Sequence, residues 1–197
     1  MHQRRIIGLT GGIATGKSTV SDYLTRRYGL PVLDADLYAR EAVAKGSEIL
    51  TAIAHRYDPK ICLPDGTLNR AYLGQIIFHD PAEKTWVEQQ IHPFVRARFR
   101  QKAAAFAPEQ TLVYAIPLLF EANLTHLVSE TWVVACSAAQ QKERLMKRNQ
   151  LPPADAQARI DAQMNLAEKC KQADYVLDNS GSRENLFSQV DRLLALS

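Results

Sequence analysis

Along the 197 residues, short and almost wholly apolar runs alternate with longer stretches in which apolar residues recur every three or four positions. The runs at 5–10, 31–33, 112–116, 131–136 and 175–177 predict five strands. They are continuous rather than alternating, as strands of a parallel sheet covered on both faces must be. Helices are predicted over 17–28, where Val20, Leu24 and Tyr28 recur at helical spacing, and over 37–44, 138–148 and 185–196. From residue 44 to residue 107 the pattern is mostly helical, broken at Leu63-Pro64-Asp65-Gly66 and at Asp80-Pro81. Its longest stretch is 83–105, which His92-Pro93 is expected to kink or divide, because proline removes a helical donor and crowds the residue before it. Strands alternating with helices predict an α/β fold with right-handed crossovers.

Two segments lack strands. The first is 36–109; the second, 150–172, opens at the breaker Leu151-Pro152-Pro153, carries a helix through Met164 and continues as a polar stretch toward Asp174. With so few large apolar residues, 150–172 is expected to be a mobile helical flap. The expected organisation is therefore a single domain, with a core of 1–35, 110–149 and 173–197, a helical insertion at 36–109 and a lid at 150–172. No internal repeat or low-complexity tract interrupts it.

Composition narrows the class. With 46% hydrophobic residues, nine Gly and nine Pro, the chain has enough apolar side chains for a substantial core, which excludes disordered and collagen-like readings. Cys62, Cys136 and Cys170 are odd in number and lack CxxC spacing, so neither a disulfide framework nor a zinc site is expected, and a reducing compartment is. Residues 1–7 place charges directly before a strand-like run and lack the apolar stretch of a signal peptide. The longest apolar run, 112–120, is far short of the roughly 20 residues that span a bilayer. A soluble, cytoplasmic protein with no membrane partner is expected, as a monomer or weak homo-oligomer. The net charge of +3 is mild, but the first hundred residues carry 14 of the 24 basic and 10 of the 21 acidic side chains. That excess fits an anionic ligand, and a solvated surface equally. Without a like-charge block or an aromatic-rich basic stretch, nucleic acid is not the expected partner.

The strongest chemical signal is Gly11-Gly12-Ile13-Ala14-Thr15-Gly16-Lys17-Ser18, which fits G-x-x-x-x-G-K-[ST] between a predicted strand and a predicted helix. The glycines let backbone N–H groups curl around phosphate oxygens, and the helix aims its positive end at them. Lys17 reaches the β- and γ-phosphates, Ser18 can ligate Mg²⁺, and Gly12 through Thr19 is the expected nucleotide-binding run. No N-K-x-D for guanine occurs, and the length leaves little room for the coupling elements of a motor. A small-molecule kinase using MgATP is the class that remains, with a nucleotide-binding regulatory protein as its rival.

Asp34 and Asp36 follow a strand, where a general base or a Mg²⁺-organising carboxylate would serve, although a helix cap plus a surface acid has the same spacing. Metal duty falls on Asp34, or on Glu121 through water. Arg144 and Arg148, four apart on one helix, suit an arginine finger or an exposed face. Arg159, Gln163 and Lys169 in the flap are open in the same way.

Leu9-Thr10-Gly11-Gly12-Ile13, Asp34-Ala35-Asp36, Ile91-His92-Pro93, Pro117-Leu118-Leu119-Phe120-Glu121 and Ala173-Asp174-Tyr175-Val176-Leu177-Asp178-Asn179 occur in one order along nearly the whole chain. In this combination the sequence resembles the dephospho-coenzyme A kinases. The resemblance implies a P-loop kinase fold, with a parallel five-stranded sheet flanked by helices. It also implies transfer of the ATP γ-phosphate to the ribose 3′-hydroxyl of dephospho-CoA. It assigns Asp36 as catalytic base and Arg144 as the transition-state arginine, with Arg148 facing the nucleotide and Asn179 in an adenine-side loop. The acceptor side is implied to include Thr10, Asp36, Arg40, His92, Pro117, Leu118 and Glu121. Ala14 and Thr15 replace the family's usual Gly-Ser, and Cys170 stands where it commonly has an arginine, with Lys171 as the compensating base.

Overall fold

The computed structural model describes residues 4–196; residues 1–3, part of the charged 1–7 stretch, and residue 197 lie outside them. The chain forms two compact units, 4–34 with 107–196, and 35–106.

In the first unit β1 (Ile6–Gly11) runs into the glycine-rich loop and α1 (Lys17–Tyr28), followed by β2 (Val32–Asp34). α1 begins after Gly16 and stops at Gly29, whose φ of 64° lets its N–H close back on Leu24 and Thr25 carbonyls. The second unit holds α2 (Ala35–Ala42), α3 (Glu48–Arg56), α4 (Arg70–His79) and α5 (Pro81–Ala103). The chain then returns to the first unit through β3 (Leu112–Ala115), β4 (Glu130–Ala135), α6 (Ala138–Asn149), α7 (Pro153–Asp161), α8 (Leu166–Gln172), β5 (Tyr175–Asp178) and α9 (Arg183–Ala195).

All five strands are parallel, in the order β2-β3-β1-β4-β5. Leu9 of β1 sits in register with Ala115 of β3 on one side and with Trp132 of β4 on the other. β1 is thus the central strand, and the loop leaving it lies at the carboxyl edge where the order of connection reverses, the usual ligand position of such sheets. Ile7, Leu9, Val113, Trp132, Val134 and Leu177 of the sheet pack with Val20 and Leu24 of α1 and with Leu186 and Val190 of α9. Tyr23 of α1 stacks on Phe187 of α9 at 3.9 Å, and the hydroxyls of Tyr23 and Tyr28 both donate to Asp191.

The second unit has its own core of Val43, Leu50, Ile53, Ile61, Leu68, Leu73 and Val87. α5 runs undivided through Pro93, against the expected break. Val87 before the proline and Val95, Phe99 and Ala103 after it are all buried, so packing along both halves offsets the lost hydrogen bond. The polar stretch before Asp174 is also helical, as α8, and carries a fully buried lysine, Lys169.

Candidate active site

The loop between β1 and α1 owes its shape to two left-handed residues, Ala14 at φ 62° and Gly16 at φ 110°, which turn successive N–H groups inward. Such a conformation costs a residue with a Cβ about 1–2 kcal/mol, so at Ala14 the loop stores strain that a glycine would avoid. Four side chains hold it. Thr15 donates its hydroxyl to the Gly12 carbonyl at 2.9 Å; Gln141 Nε2 of α6 donates to the Ile13 carbonyl at 3.0 Å. Asn179 Nδ2, beyond β5, donates to the Thr15 carbonyl at 2.7 Å, and Gln163 Oε1 accepts from the Ile13 N–H at 2.7 Å. A Cβ on Gly12 would lie 2.5 Å from Gln141 Nε2, and one on Gly16 would collide with Asn179 Nδ2. Both glycines are therefore demanded by the side chains that brace the loop.

At the start of α1, Lys17 points its ammonium along the carboxyl edge, 3.9 Å from Asp34 Oδ2 at the end of β2. Ser18 is exposed in the same turn, followed by Thr19. Beside this edge the Pro117 carbonyl accepts from Thr10 Oγ1 and from Lys169 Nζ, each at 3.0 Å. Lys169 Nζ also lies 2.8 Å from Glu121 Oε1 and 3.3 Å from the Gly11 carbonyl. Glu121 Oε1 accepts in addition from the Met164 N–H at 3.1 Å. Thr10 is fully buried with its hydroxyl committed to Pro117, whereas Leu118 is exposed.

Arg144 is half-buried on α6; its Nη2 donates to the Asn179 carbonyl at 3.0 Å, and its Nη1 is buried with no hydrogen-bond partner among the described residues. Burial pushes the nearby Cys136 thiol up, an effect that the Arg144 guanidinium opposes. Arg148, one turn on, is exposed and bonded to Asn149 Oδ1 at 2.9 Å. The Lys171 ammonium is held by Glu168 at 2.7 Å, which pushes its pKa up and keeps it on the exposed side of α8. All three cysteines are free thiols.

In the second unit Asp36 occupies the exposed first turn of α2, with Arg40 exposed in its last, and His92 is half-buried midway along α5. Gln141 is the functional residue that sequence reasoning missed. Its only signal is a polar side chain at the i−4 position from buried Leu145, on the face of α6 that turns inward.

A parallel sheet whose central strand runs into the G-x-x-x-x-G-K-S loop and Lys17, with Arg144 of α6 turned to Asn179 beside that loop, defines a P-loop kinase. A family model described as dephospho-CoA kinase matches residues 5–185. The chain is 58% identical over 188 residues to a dephospho-CoA kinase from Synechocystis sp., covering 95% of this chain and 94% of that one. Its fold is similar to the crystal structure of TT1252 from Thermus thermophilus, with a TM-score of 0.85 and 35% identity over 99% and 98% of the two chains. It is also similar to dephospho-CoA kinase from Campylobacter jejuni, with a TM-score of 0.71 and 25% identity over 96% and 95%. The chain belongs to the dephospho-CoA kinase family.

Proposed function

We propose that the chain transfers the γ-phosphoryl group of ATP to the ribose 3′-hydroxyl of dephospho-CoA, giving coenzyme A and ADP, the last step of CoA synthesis. The observation that carries this reading is the braced loop with Lys17 at the centre of the carboxyl edge, in a chain of that family. The N–H groups over 12–19, apart from the Ile13 N–H that Gln163 holds, take the phosphates, and Lys17 offsets charge on the β- and γ-oxygens. Arg144 brings its unpartnered Nη1 to the charge that grows as the phosphoryl group moves, with Arg148 nearer solvent.

Asp36 accepts the proton of the attacking hydroxyl as the oxygen–phosphorus bond forms and the bond to the ADP oxygen breaks. Arg40 and His92, in the 35–106 unit, serve the acceptor, whose pyrophosphate needs cationic neighbours. Leu118 lines the acceptor side, and Pro117 and Glu121 shape its floor. Thr10 supports that floor through Pro117 rather than touching substrate.

The Ser18 hydroxyl and the Asp34 carboxylate are hard oxygen donors of the kind Mg²⁺ takes, together with phosphate and water. When bound, the ion would neutralise phosphate charge. Asn179 acts on the nucleotide through the loop it braces.

No described helix is long and apolar enough to cross a membrane. A cytoplasmic enzyme, monomeric or weakly associated and without a nucleic-acid partner, fits this chemistry. The 36–109 segment serves as acceptor insertion and 150–172 as lid.

Incubation with MgATP and either dephospho-CoA, AMP or buffer, following ADP and the phosphorylated product, tests the reading. CoA formation with dephospho-CoA alone is expected. ADP without CoA, or product only with AMP, overturns it.

A further inference from the structure

The segment between α6 and β5 is not uniformly loose, and the boundary inside it falls at the phosphate loop. Lys169 is fully buried, its ammonium enclosed by the Gly11 and Pro117 carbonyls and by Glu121. Met164 is tied to the same Glu121 oxygen. Swinging residues 163–172 away would break the ion pair of buried Lys169 with Glu121 and its bonds to the two carbonyls, which is strongly unfavourable. Closure of a lid therefore has to hinge before Gln163, leaving α7 as the moving part.

Gln163 stays at the loop. Its carboxamide orientation is set by a donor that cannot be reversed, because the Ile13 N–H fixes the atom it meets as Oε1. Nε2, the other arm of the same planar group, makes no hydrogen bond among the described residues. Its neighbours Met164 and Lys169 are tied to Glu121 and Pro117 in the turn that follows β3, and β3 stands between β1 and β2, the strand that ends in Asp34. Asn179 and β5 are on the opposite side of β1. Gln163 itself stays on the loop that leaves β1, at the carboxyl edge along which Lys17 also points.

We infer that Gln163 is a resident ligand of the transferring phosphoryl group: its Oε1 holds the Ile13 N–H while its Nε2 donates to an equatorial phosphoryl oxygen. The inference rests on the reading of the chain as an ATP-dependent kinase. A donor aimed at charge that redistributes during transfer acts mainly on turnover.

Three proteins test it, wild type, Gln163→Leu and Gln163→Glu, through steady-state rates of CoA formation, ADP binding by calorimetry, and thermal melting. Gln163→Leu keeps the size and loses both bonds. Gln163→Glu keeps an acceptor for the Ile13 N–H and loses the donor. Expected is a fall in kcat of roughly 10- to 100-fold for Gln163→Leu, as for one hydrogen bond to a charged group, and a larger fall for Gln163→Glu. ADP affinity and melting are expected within twofold and within a few degrees of wild type. Wild-type turnover for Gln163→Glu overturns the inference, because it leaves Gln163 only as a brace for the loop. So does tighter ADP binding with undiminished turnover in Gln163→Leu, which would make the side chain a competitor for the phosphate. Failure of wild type itself to form CoA is the distinct failure of the kinase reading.

Discussion

Gln141 Nε2 stands 3.0 Å from the Ile13 carbonyl and only 2.5 Å from where a Cβ on Gly12 would be. One amide thus braces the phosphate loop and forbids a side chain on it. Gln141 is buried, so it cannot step aside without breaking its bond. Gly12→Ala is therefore expected to cost about 1 kcal/mol, the worth of that hydrogen bond, and to raise the KM for ATP. Gln141→Ala alone is expected to cost a similar amount. With Gln141 already truncated, the added methyl has space, and the double variant is expected to be less destabilised than the sum. Urea denaturation of the four proteins in the cycle checks this; strict additivity would place the obstruction elsewhere.

Lys169 has a different kind of leverage. Lys169→Met removes the partner of Glu121, whose carboxylate remains largely enclosed with a side chain only 21% exposed. Breaking a buried pair on one side costs about 3 kcal/mol or more; the partial exposure of Glu121 places this case at the low end. Combining it with Glu121→Gln removes the orphaned charge and is expected to recover much of the loss. Equilibrium unfolding by urea distinguishes this from a surface pair, for which both variants would be within about 1 kcal/mol of wild type.

These two sites mark the limits of what was legible. The strands were readable because a parallel strand buried on both faces writes its burial directly into consecutive residues, and β3 is buried at every position. α1 was readable to its ends, since the phosphate motif fixes its start and Gly29 its stop. α8 was not, because its stability comes less from an apolar stripe than from an ammonium bound to a carbonyl 52 residues away in the chain. Pro93 misled for a similar reason: local geometry argues for a break, and burial of Val87 and Val95 on either side overrides it. The two carboxylates near the end of β2 were legible as a pair. Their division of labour was not, because spacing places residues without showing which atom each side chain will meet.

The helical unit carries a pH signature. Glu83 accepts two hydrogen bonds from Arg56 at 2.7 Å and one from the Tyr57 hydroxyl, and Arg56 lies over the Trp86 ring at 4.5 Å. Hydrogen bonds from Arg56, then from Tyr57, hold the Glu83 carboxyl down at about 2, against 4.5 for an ordinary glutamate. The folded state therefore binds that proton less readily than the unfolded chain. Its contribution to stability is complete above pH 4.5 and is lost as pH falls from 4.5 toward 2. Burial, with the Glu83 hydrogen bond, pushes Tyr57 up to about 12 from 10.0, so stability is lost again as pH rises through that interval. Glu83→Gln is expected to flatten the acid limb between pH 4.5 and 2 relative to wild type. Denaturant unfolding across pH checks it, and parallel acid limbs would mean the carboxylate is unpaired in solution.

Asp34 and Asp36 are two residues apart, and the proposed reaction gives them different duties. Asp34 ends β2 with its carboxylate 3.9 Å from Lys17 Nζ, so it already shares the phosphate edge with the loop's own cation. Asp36 opens α2 and is exposed. A ribose hydroxyl is a poor nucleophile at neutral pH, and a positioned base contributes roughly 10²- to 10⁴-fold. Asp36→Asn keeps the shape and removes the base. It is expected to lower kcat by up to that factor with ATP binding nearly intact, and the loose transition state of phosphoryl transfer favours the lower end. Asp34→Asn leaves Lys17 without its carboxylate neighbour and weakens the oxygen donor set for Mg²⁺. It is expected to raise the Mg²⁺ concentration needed for half-maximal rate, with partial rescue by added Mg²⁺. Rates for both variants across a Mg²⁺ titration decide the assignment: rescue of Asp36→Asn beside an inactive, unrescued Asp34→Asn would exchange the two roles.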